Sequence, residues 1–351
     1  MNTILVTGGF GFIGANFIHY LLKETDFVGQ VVNVDKLTYA GNPENLEKIE
    51  EQFPDRYHFI KSDICDRSSM ADIFEKYEID TICHFAAESH VDRSIVRPDA
   101  FIKTNIDGTF NLLELAKMRK DQIVLFHHVS TDEVYGTLGE SGFFTEDTPY
   151  RPNSPYAASK AASDHLVRAY CKTYVLPVTI SNCSNNYGPF QFPEKLIPLM
   201  ILNALEDKPL PVYGDGRHIR DWLYVKDHCK AVWMIMKYGR RGGTYNIGGR
   251  CEMNNIDVVN SVCDILDEIV PPSDGRPRRN LICFIKDRPG HDRRYAIDCS
   301  KLETELKWSP EESFETGMKK TIKWYLGNKG WSERVKSGAY TEWIEKHYEG
   351  I

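Results

Sequence analysis

"TILVTGGFGFIG" spans Thr3 to Gly14. An apolar, β-branched run ends in glycines at positions 8, 11 and 14, and a helical pattern from Phe12 to Leu22 follows at once. Glycines at this spacing permit a tight turn and a close backbone approach to a pyrophosphate, while the helix start offers free N–H groups and partial positive charge. A glycine pattern alone says little, because turns are rich in glycine. Its context is more specific: Asp35 closes the next strand-like run, "QVVNVDK", 21 residues after Gly14. A carboxylate there accepts from an adenosine ribose 2′-hydroxyl and repels a 2′-phosphate, which favours NAD over NADP.

The rhythm continues outward from that unit. "YHFIKSD" precedes a helical segment over Ser69 to Tyr77, and "IDTICHFAA" precedes a long helical stretch ending near Lys120. "QIVLFHHVS" then leads to a helix beginning near Ser154. Strands alternating with helices predict an α/β chain, a Rossmann-type doubly wound parallel sheet whose ligands collect at the carboxyl ends of the strands. Asp63 and Ile64, after the third strand, are candidate adenine neighbours, although an ordinary strand-end Asp reads equally well. From Asn185 the texture turns richer in Pro and Gly, with short strands such as "LPVY", "TYNIGG" and "LICFIK". The division expected is residues 1–184 as an NAD-binding domain and 185–351 as a smaller C-terminal α/β lobe, with the chain crossing between them.

Composition narrows the function classes. A net charge of −7 gives no long-range attraction to a nucleic-acid backbone. The start "MNTILVTGG" has no basic segment followed by an apolar one, and no apolar run approaches the roughly 18 residues of a membrane span. Nine cysteines without a C-x-x-C pair read as reduced, mostly buried thiols, and eleven histidines form no H-E-x-x-H spacing. The expectation is a cytoplasmic protein with no metal site.

Two further features carry chemistry. Tyr156 and Lys160 in "NSPYAASKAASDHLV" lie four apart and so share a helix face. A lysine cation there is expected to lower the phenol's pKa and to reach nicotinamide ribose hydroxyls. In "HHVSTDEVYG", Asp132 and Glu133 stand side by side where a strand should end. Residues alone leave that pair open between a solvated turn and a functional site. In a regular strand the two side chains would point to opposite faces, so a shared function requires the backbone to leave β geometry at Thr131 or Asp132.

"TGGFGFIG", "VSTDEVYG" and "YAASK" together resemble the extended short-chain dehydrogenase/reductases that modify nucleotide sugars, the NAD-dependent epimerase/dehydratase family. The likeness is strongest to its sugar-nucleotide 4,6-dehydratases. It runs through "VNVDKLTYAGN", "AAESHVDRS", "CSNNYGP", "FPEKLIP", "IRDWLYV", "TYNIGG", "DRPGHDRRYAID" and "SGAYTEWIEKHYEG". Epimerases of the family share the glycines and the Tyr-Lys pair but typically lack the Asp-Glu pair, so "TDEVYG" is the most specific signal.

The resemblance implies a hydro-lyase acting on dTDP-glucose around one tightly bound NAD that is regenerated each turnover, with a 4-keto-6-deoxy product that feeds rhamnose and other deoxysugars. Tyr156, helped by Thr131 and Lys160, would take the C4 hydroxyl proton, Glu133 the C5 proton, and protonated Asp132 would donate to the departing C6 hydroxyl. It places Phe12, Ile13, Lys36, Leu37, Thr38, Ala86, Ala87 and Asn186 around the cofactor, with Ser89, His90 and Thr104 near the sugar or cofactor. Arg220 and Arg288 would pair with the diphosphate beside Asn185. Lys195, Leu196, Pro211, Tyr213, Asn255 and His291 would line the nucleotide pocket, though Arg220 beside Asp221 also reads as a surface ion pair and Tyr213 as core. A homodimer through helices near 98–119 and 154–174 is also implied. Two departures stand out: Phe10 where the family usually has Ala, which threatens to crowd the pyrophosphate, and a shorter connection from Gly136 to Tyr156 than some members have. Other readings are a UDP-glucose 4,6-dehydratase, a nucleotide-sugar 4-epimerase and, more remotely, a silent NAD-binding scaffold.

Overall fold

The computed structural model describes residues 1–287 and 290–336. Arg288 and the stretch "SGAYTEWIEKHYEG" lie outside the described residues. Twelve strands occur in chain order among those described: Thr3–Thr7 (β1), Gln30–Asp35 (β2), Tyr57–Lys61 (β3), Thr81–His84 (β4), Leu125–Thr131 (β5), Val178–Cys183 (β6), Asn185–Tyr187 (β7), Leu210–Tyr213 (β8), Ile219–Tyr224 (β9), Thr244–Ile247 (β10), Glu252–Asn254 (β11) and Ile282–Ile285 (β12). Seven of them form one parallel sheet in the order β10-β6-β5-β4-β1-β2-β3. β1, β4 and β5 are buried along their whole length, because helices cover both faces, and this is why they read as continuous apolar runs. The order reverses between β1 and β4, which opens a crevice at their carboxyl ends.

Val31, Ile4 and Leu125 join one core face with Phe17, Ile18 and Leu21 of the helix Phe12–Glu24. Leu5, Val32, Ile82 and Phe126 join the other with Met70, Phe74 and Leu112. A third core, built from Leu199, Leu202, Val258, Val262, Met318 and Ile322, belongs to the C-terminal half. That half carries the sheet β11-β9-β7 and the parallel pair β12-β8. Its strand β10 is the seventh strand of the large sheet, and its helix Val225–Tyr238 packs Cys229, Val232 and Trp233 into the Phe17 core.

The stretch read as one helix ending near Lys120 is broken. It runs as Val91–Val96, Pro98–Phe101, a π-helical turn Ile102–Gly108 and Thr109–Met118. Pro98 has no N–H and excludes the preceding residue from helical backbone, and Arg97 accordingly sits at φ −139° and ψ 73°. Among the described residues no helix is long and apolar enough to cross a membrane.

Trp308 anchors the C-terminal segment to this core: it is 1% exposed, and its indole N–H donates to the Asp227 carbonyl at 3.2 Å. Trp308→Ala should lower stability by about 3–5 kcal/mol in chemical denaturation. A loss below about 1 kcal/mol would show that the segment docks by other contacts.

Candidate active site

Gly8 adopts φ +72°, and a Cβ on it would lie 2.7 Å from the Ala86 backbone at the end of β4. A Cβ on Gly14 would lie 2.3 Å from the Gly8 carbonyl oxygen. Both glycines are therefore required by close backbone approach. Gly11 caps the helix Phe12–Glu24 with no side-chain hydrogen bond, and the first turn carries no acid. Its N-terminal N–H groups remain available at a cleft lined by Gly11, Phe12 and Ile13. Phe10 does not crowd that cleft. Its ring turns away to meet Phe59 edge-on at 4.6 Å, and its N–H donates to Asp35 Oδ2 at 3.0 Å. Asp35 Oδ1 accepts from the Leu37 N–H at 2.8 Å; burial pushes the carboxyl up, and the two backbone donors oppose that. Lys36 pairs with Asp63 at 2.6 Å on the cleft wall, near Thr38 and Ile64. Leu37 does not line the cleft; its φ of +58° serves the turn that delivers its N–H to Asp35. These groups, with Ala86, Ala87, Ser89 and Thr104 around them, offer an anion cradle and a carboxylate, which fits a dinucleotide.

β5 ends at Thr131, and Asp132–Tyr135 form a 3₁₀ turn. The change of geometry lets Asp132 and Glu133 line the same cleft as Thr131, Tyr156 and Lys160. Thr131 Oγ1 accepts from the Glu133 N–H at 3.3 Å and lies 3.4 Å from Asp132 Oδ1. Asp132 is 2% exposed, and its Oδ2 has no hydrogen-bond partner among the described residues. Burial, the Glu133 charge and the Asp221 charge raise its pKa well above the ordinary 3.8, with Arg220 opposing them. This direction favours the protonated form of Asp132.

Ser154 caps the helix Pro155–Tyr174, accepting from the Ala157 N–H at 3.1 Å, and so sets Tyr156 in its first turn. The expected depression of the Tyr156 pKa by Lys160 is not found. Burial, Glu133 and Cys183 push the phenol well above 10.0, opposed by a hydrogen bond with Thr131. The Lys160 ammonium is instead turned to the Val129 carbonyl at 2.8 Å and lies 3.4 Å from His128 Nε2.

Asn185, Asn186 and Lys195 also line the cleft, and Lys195 donates to the Ser89 carbonyl at 3.0 Å. Asn186 Oδ1 lies 3.0 Å from His228 Nδ1. His90, Leu196, Pro211, Tyr213, Arg220, Asn255 and His291 fall outside this set of lining residues. The His291 and His218 rings stack at 3.6 Å, with Asp287 bridging them at 2.6 Å and 3.3 Å and Tyr213 edge-on to His291 at 6.2 Å. His218, Asp287 and His291 are a group whose ligand atoms could hold a metal ion, lying within 4.8 Å of one another. The Asn255 N–H donates to the His218 carbonyl, and Pro211 lies two residues before Tyr213 on β8. Leu196 opens the helix that follows Lys195. Arg220 is not at the surface: it is buried 4.3 Å over the Tyr295 ring and donates to the Asp292 carbonyl, while Asp221 accepts from the Gly249 and Cys251 N–H groups.

One cluster escaped the sequence reading. Buried Glu194 accepts from Tyr39 at 3.0 Å and from Arg93 Nε at 3.3 Å, with His90 Nε2 at 3.7 Å and Arg93 stacked 3.7 Å over the Tyr39 ring. It ties the loop after β2 to the loop before the helix Leu196–Leu205. Tyr39 and Arg93 lie 155 and 101 positions from Glu194, so no local pattern could have revealed the cluster.

Residues 5–321 match a family model described as GDP-mannose 4,6 dehydratase. A dTDP-glucose 4,6-dehydratase of Salmonella typhimurium is 55% identical over 363 residues, covering 99% of each chain. Two solved structures are similar throughout. One is a dTDP-glucose 4,6-dehydratase from Bacillus anthracis in complex with NAD, 45% identical with a TM-score of 0.86 over 96% of this chain and 100% of that one. The other, from Streptomyces venezuelae with NAD and TYD bound, is 43% identical with a TM-score of 0.89 over 95% of this chain and 100% of that one. Likeness of this extent, carried through sequence and fold alike, makes the chain a member of the dTDP-glucose 4,6-dehydratase family.

Proposed function

We propose that the protein converts dTDP-D-glucose to dTDP-4-dehydro-6-deoxy-D-glucose and water. The observation that carries this reading is the adjacent pair of carboxylates in unlike environments, Asp132 buried with its pKa pushed well above the ordinary range, Glu133 partly exposed beside it. Dehydration across C5 and C6 needs one acid and one base on neighbouring atoms, and environment is what separates two carboxyls into those roles. Bound NAD supplies a hydride acceptor for C4, the same hydride for C6, and positive charge for the site.

The chain's own groups move the protons. Tyr156, held by Thr131, takes the C4 hydroxyl proton as its phenolate, a form that burial disfavours in the free site and that the positive charge of bound NAD and the Lys160 ammonium one helix turn away would favour. A C4 ketone acidifies C5, where Glu133 takes the proton. Asp132 gives its proton to the C6 hydroxyl, which leaves as water. Glu133 then returns a proton to C5, and the proton gained by Tyr156 balances the one lost by Asp132. Asp35, the glycine loop and the helix start hold the cofactor. Arg220, Arg288 and Asn185 are assigned to the diphosphate, with Lys195, Tyr213, Asn255 and His291 around the nucleoside.

We also assign a homodimer to the helical face of residues 91–118 and 155–174. Ile95, Val96, Ile102, Phe110 and Met118 are exposed along residues 91–118, and a segment with this many exposed large apolar side chains favours a partner. Sedimentation should give twice the 40.3 kDa chain mass; a monomer at micromolar concentration rejects the assignment. The nine unpaired cysteines suit a reducing compartment such as the cytoplasm.

Incubation with dTDP-glucose should give the alkali-induced absorbance of a 4-keto-6-deoxy sugar, and its absence would overturn the reading. Glu133→Gln should still reduce bound nicotinamide on adding substrate yet wash no solvent deuterium into C5; full exchange removes Glu133 from its role. Asp132→Asn tests the buried acid through stability as well as rate. Below about pH 4, folded and unfolded chains both carry the Asp132 proton. As pH rises past 3.8 the unfolded chain ionises while the folded carboxyl does not, so Asp132 increasingly disfavours folding. The asparagine variant should be more stable than the parent, with a gain that grows from about pH 4 upward, while dehydration slows by about 10²–10⁴-fold. A gain independent of pH contradicts this assignment.

A further inference from the structure

The helix that presents Tyr156 and Lys160 carries a second acid, Asp164, four residues past the lysine and fully buried. Ser130 Oγ donates to its Oδ2 at 2.9 Å, Tyr150 at 2.8 Å and the Asn182 amide at 3.4 Å. On its other side, Oδ1 lies 3.1 Å from His128 Nε2, the same nitrogen that lies 3.4 Å from Lys160 Nζ. Lysine, imidazole and carboxylate thus form a dry row behind the cleft, anchored to the strand residue that precedes Thr131.

A lone buried ammonium is strongly disfavoured, so its counter-charge matters. The titratable groups facing this row are His84 on β4, His128 on β5, Cys183 on β6, Tyr150 from the preceding loop, and Tyr156 and Arg168 on the same helix. Burial lowers His128 to about 4, so it is neutral, and burial raises Cys183 to about 12. Burial alone would raise Asp164, but His128, Lys160 and Ser130 outweigh it and its direction is down. Among these facing groups only Asp164 is an anion.

We propose that Asp164 is a positioning residue for the C4 oxidation step, the buried counter-charge on the far side of His128 that keeps Lys160 an ammonium one helix turn from Tyr156. The proposal rests on the proton route assigned above to Tyr156. Without Asp164 the lysine would lose its proton at lower pH, and a neutral amine cannot steady a phenolate.

Reduction of bound nicotinamide should be followed in a single turnover with dTDP-glucose across pH, using holoenzyme of the parent, Asp164→Asn, Asp164→Glu and Tyr150→Phe. In Asp164→Asn the alkaline limb should move down by about 1–3 pH units, with the rate at neutral pH about 10²-fold lower. Asp164→Glu should restore the limb, and Tyr150→Phe, which removes a hydrogen bond but no charge from the row, should leave it in place. A limb unmoved in Asp164→Asn, or moved equally in Tyr150→Phe, overturns the proposal. Should Asp164→Asn not fold, Asp164→Ser removes the same charge with less bulk and is read by the same criterion. A parent enzyme that fails to reduce its nicotinamide would instead reject the proposed function.

Discussion

The departure of the backbone from extended geometry at Thr131 is the constraint on which the site depends. One more residue of regular strand would send Asp132 and Glu133 to opposite faces of the sheet. The 3₁₀ turn brings both to one cleft, and its stability comes from the packing behind it. Val134 and Tyr135 bury against Phe144 and Ile297, the Tyr135 hydroxyl donates to Asn246, and Asn182 donates to the Thr131 carbonyl. Gly136 closes the turn at φ +88°, where a Cβ would meet the Arg151 carbonyl at 2.3 Å. This packing offsets the cost of a buried Asp132 oxygen without a hydrogen bond, a cost that falls most heavily on the charged form and so pushes the carboxyl's pKa up.

The large sheet turns that local arrangement into a reaction chamber. Its topological switch point sets the glycine loop of β1 against the end of β4, next to the end of β5. The C-terminal half is bound to this frame at several places. β10 extends the sheet beside β6, the helix Val225–Tyr238 packs on the helix after the glycine loop, and Glu194 holds Tyr39 and Arg93. Arg220 and Asp221 also come from that half, and their charges act on Asp132 in opposite directions. The acidity of Asp132 is thus set partly from the other half of the chain.

Much of this was legible beforehand because it is local. The strand, glycine loop and helix of residues 3–24, Asp35 at the end of β2, and the Tyr156–Lys160 face follow from periodicity and spacing within one βαβ unit or one helix turn. The requirement for a bend at Thr131 could be read too, since two neighbouring acids cannot share a face in a strand. The break at Pro98 was also written in the sequence; the π-helical turn after it was not, because it is fixed by Asn105 bonding to Glu88 and Ser159 across the fold.

Other features had no local signature. The place of β10 in the large sheet, the Glu194 cluster and the His218–Asp287–His291 stack join residues far apart in the chain. The direction of the Tyr156 pKa went against the helix-face argument, since spacing says that Lys160 is near but not that its ammonium is turned to Val129, nor how completely the phenol is buried. Which groups are available and which share a face follows from covalent spacing and backbone period, both legible in the chain itself. The direction in which each pKa moves could be read only from the fold, because desolvation and neighbouring charge belong to the folded interior.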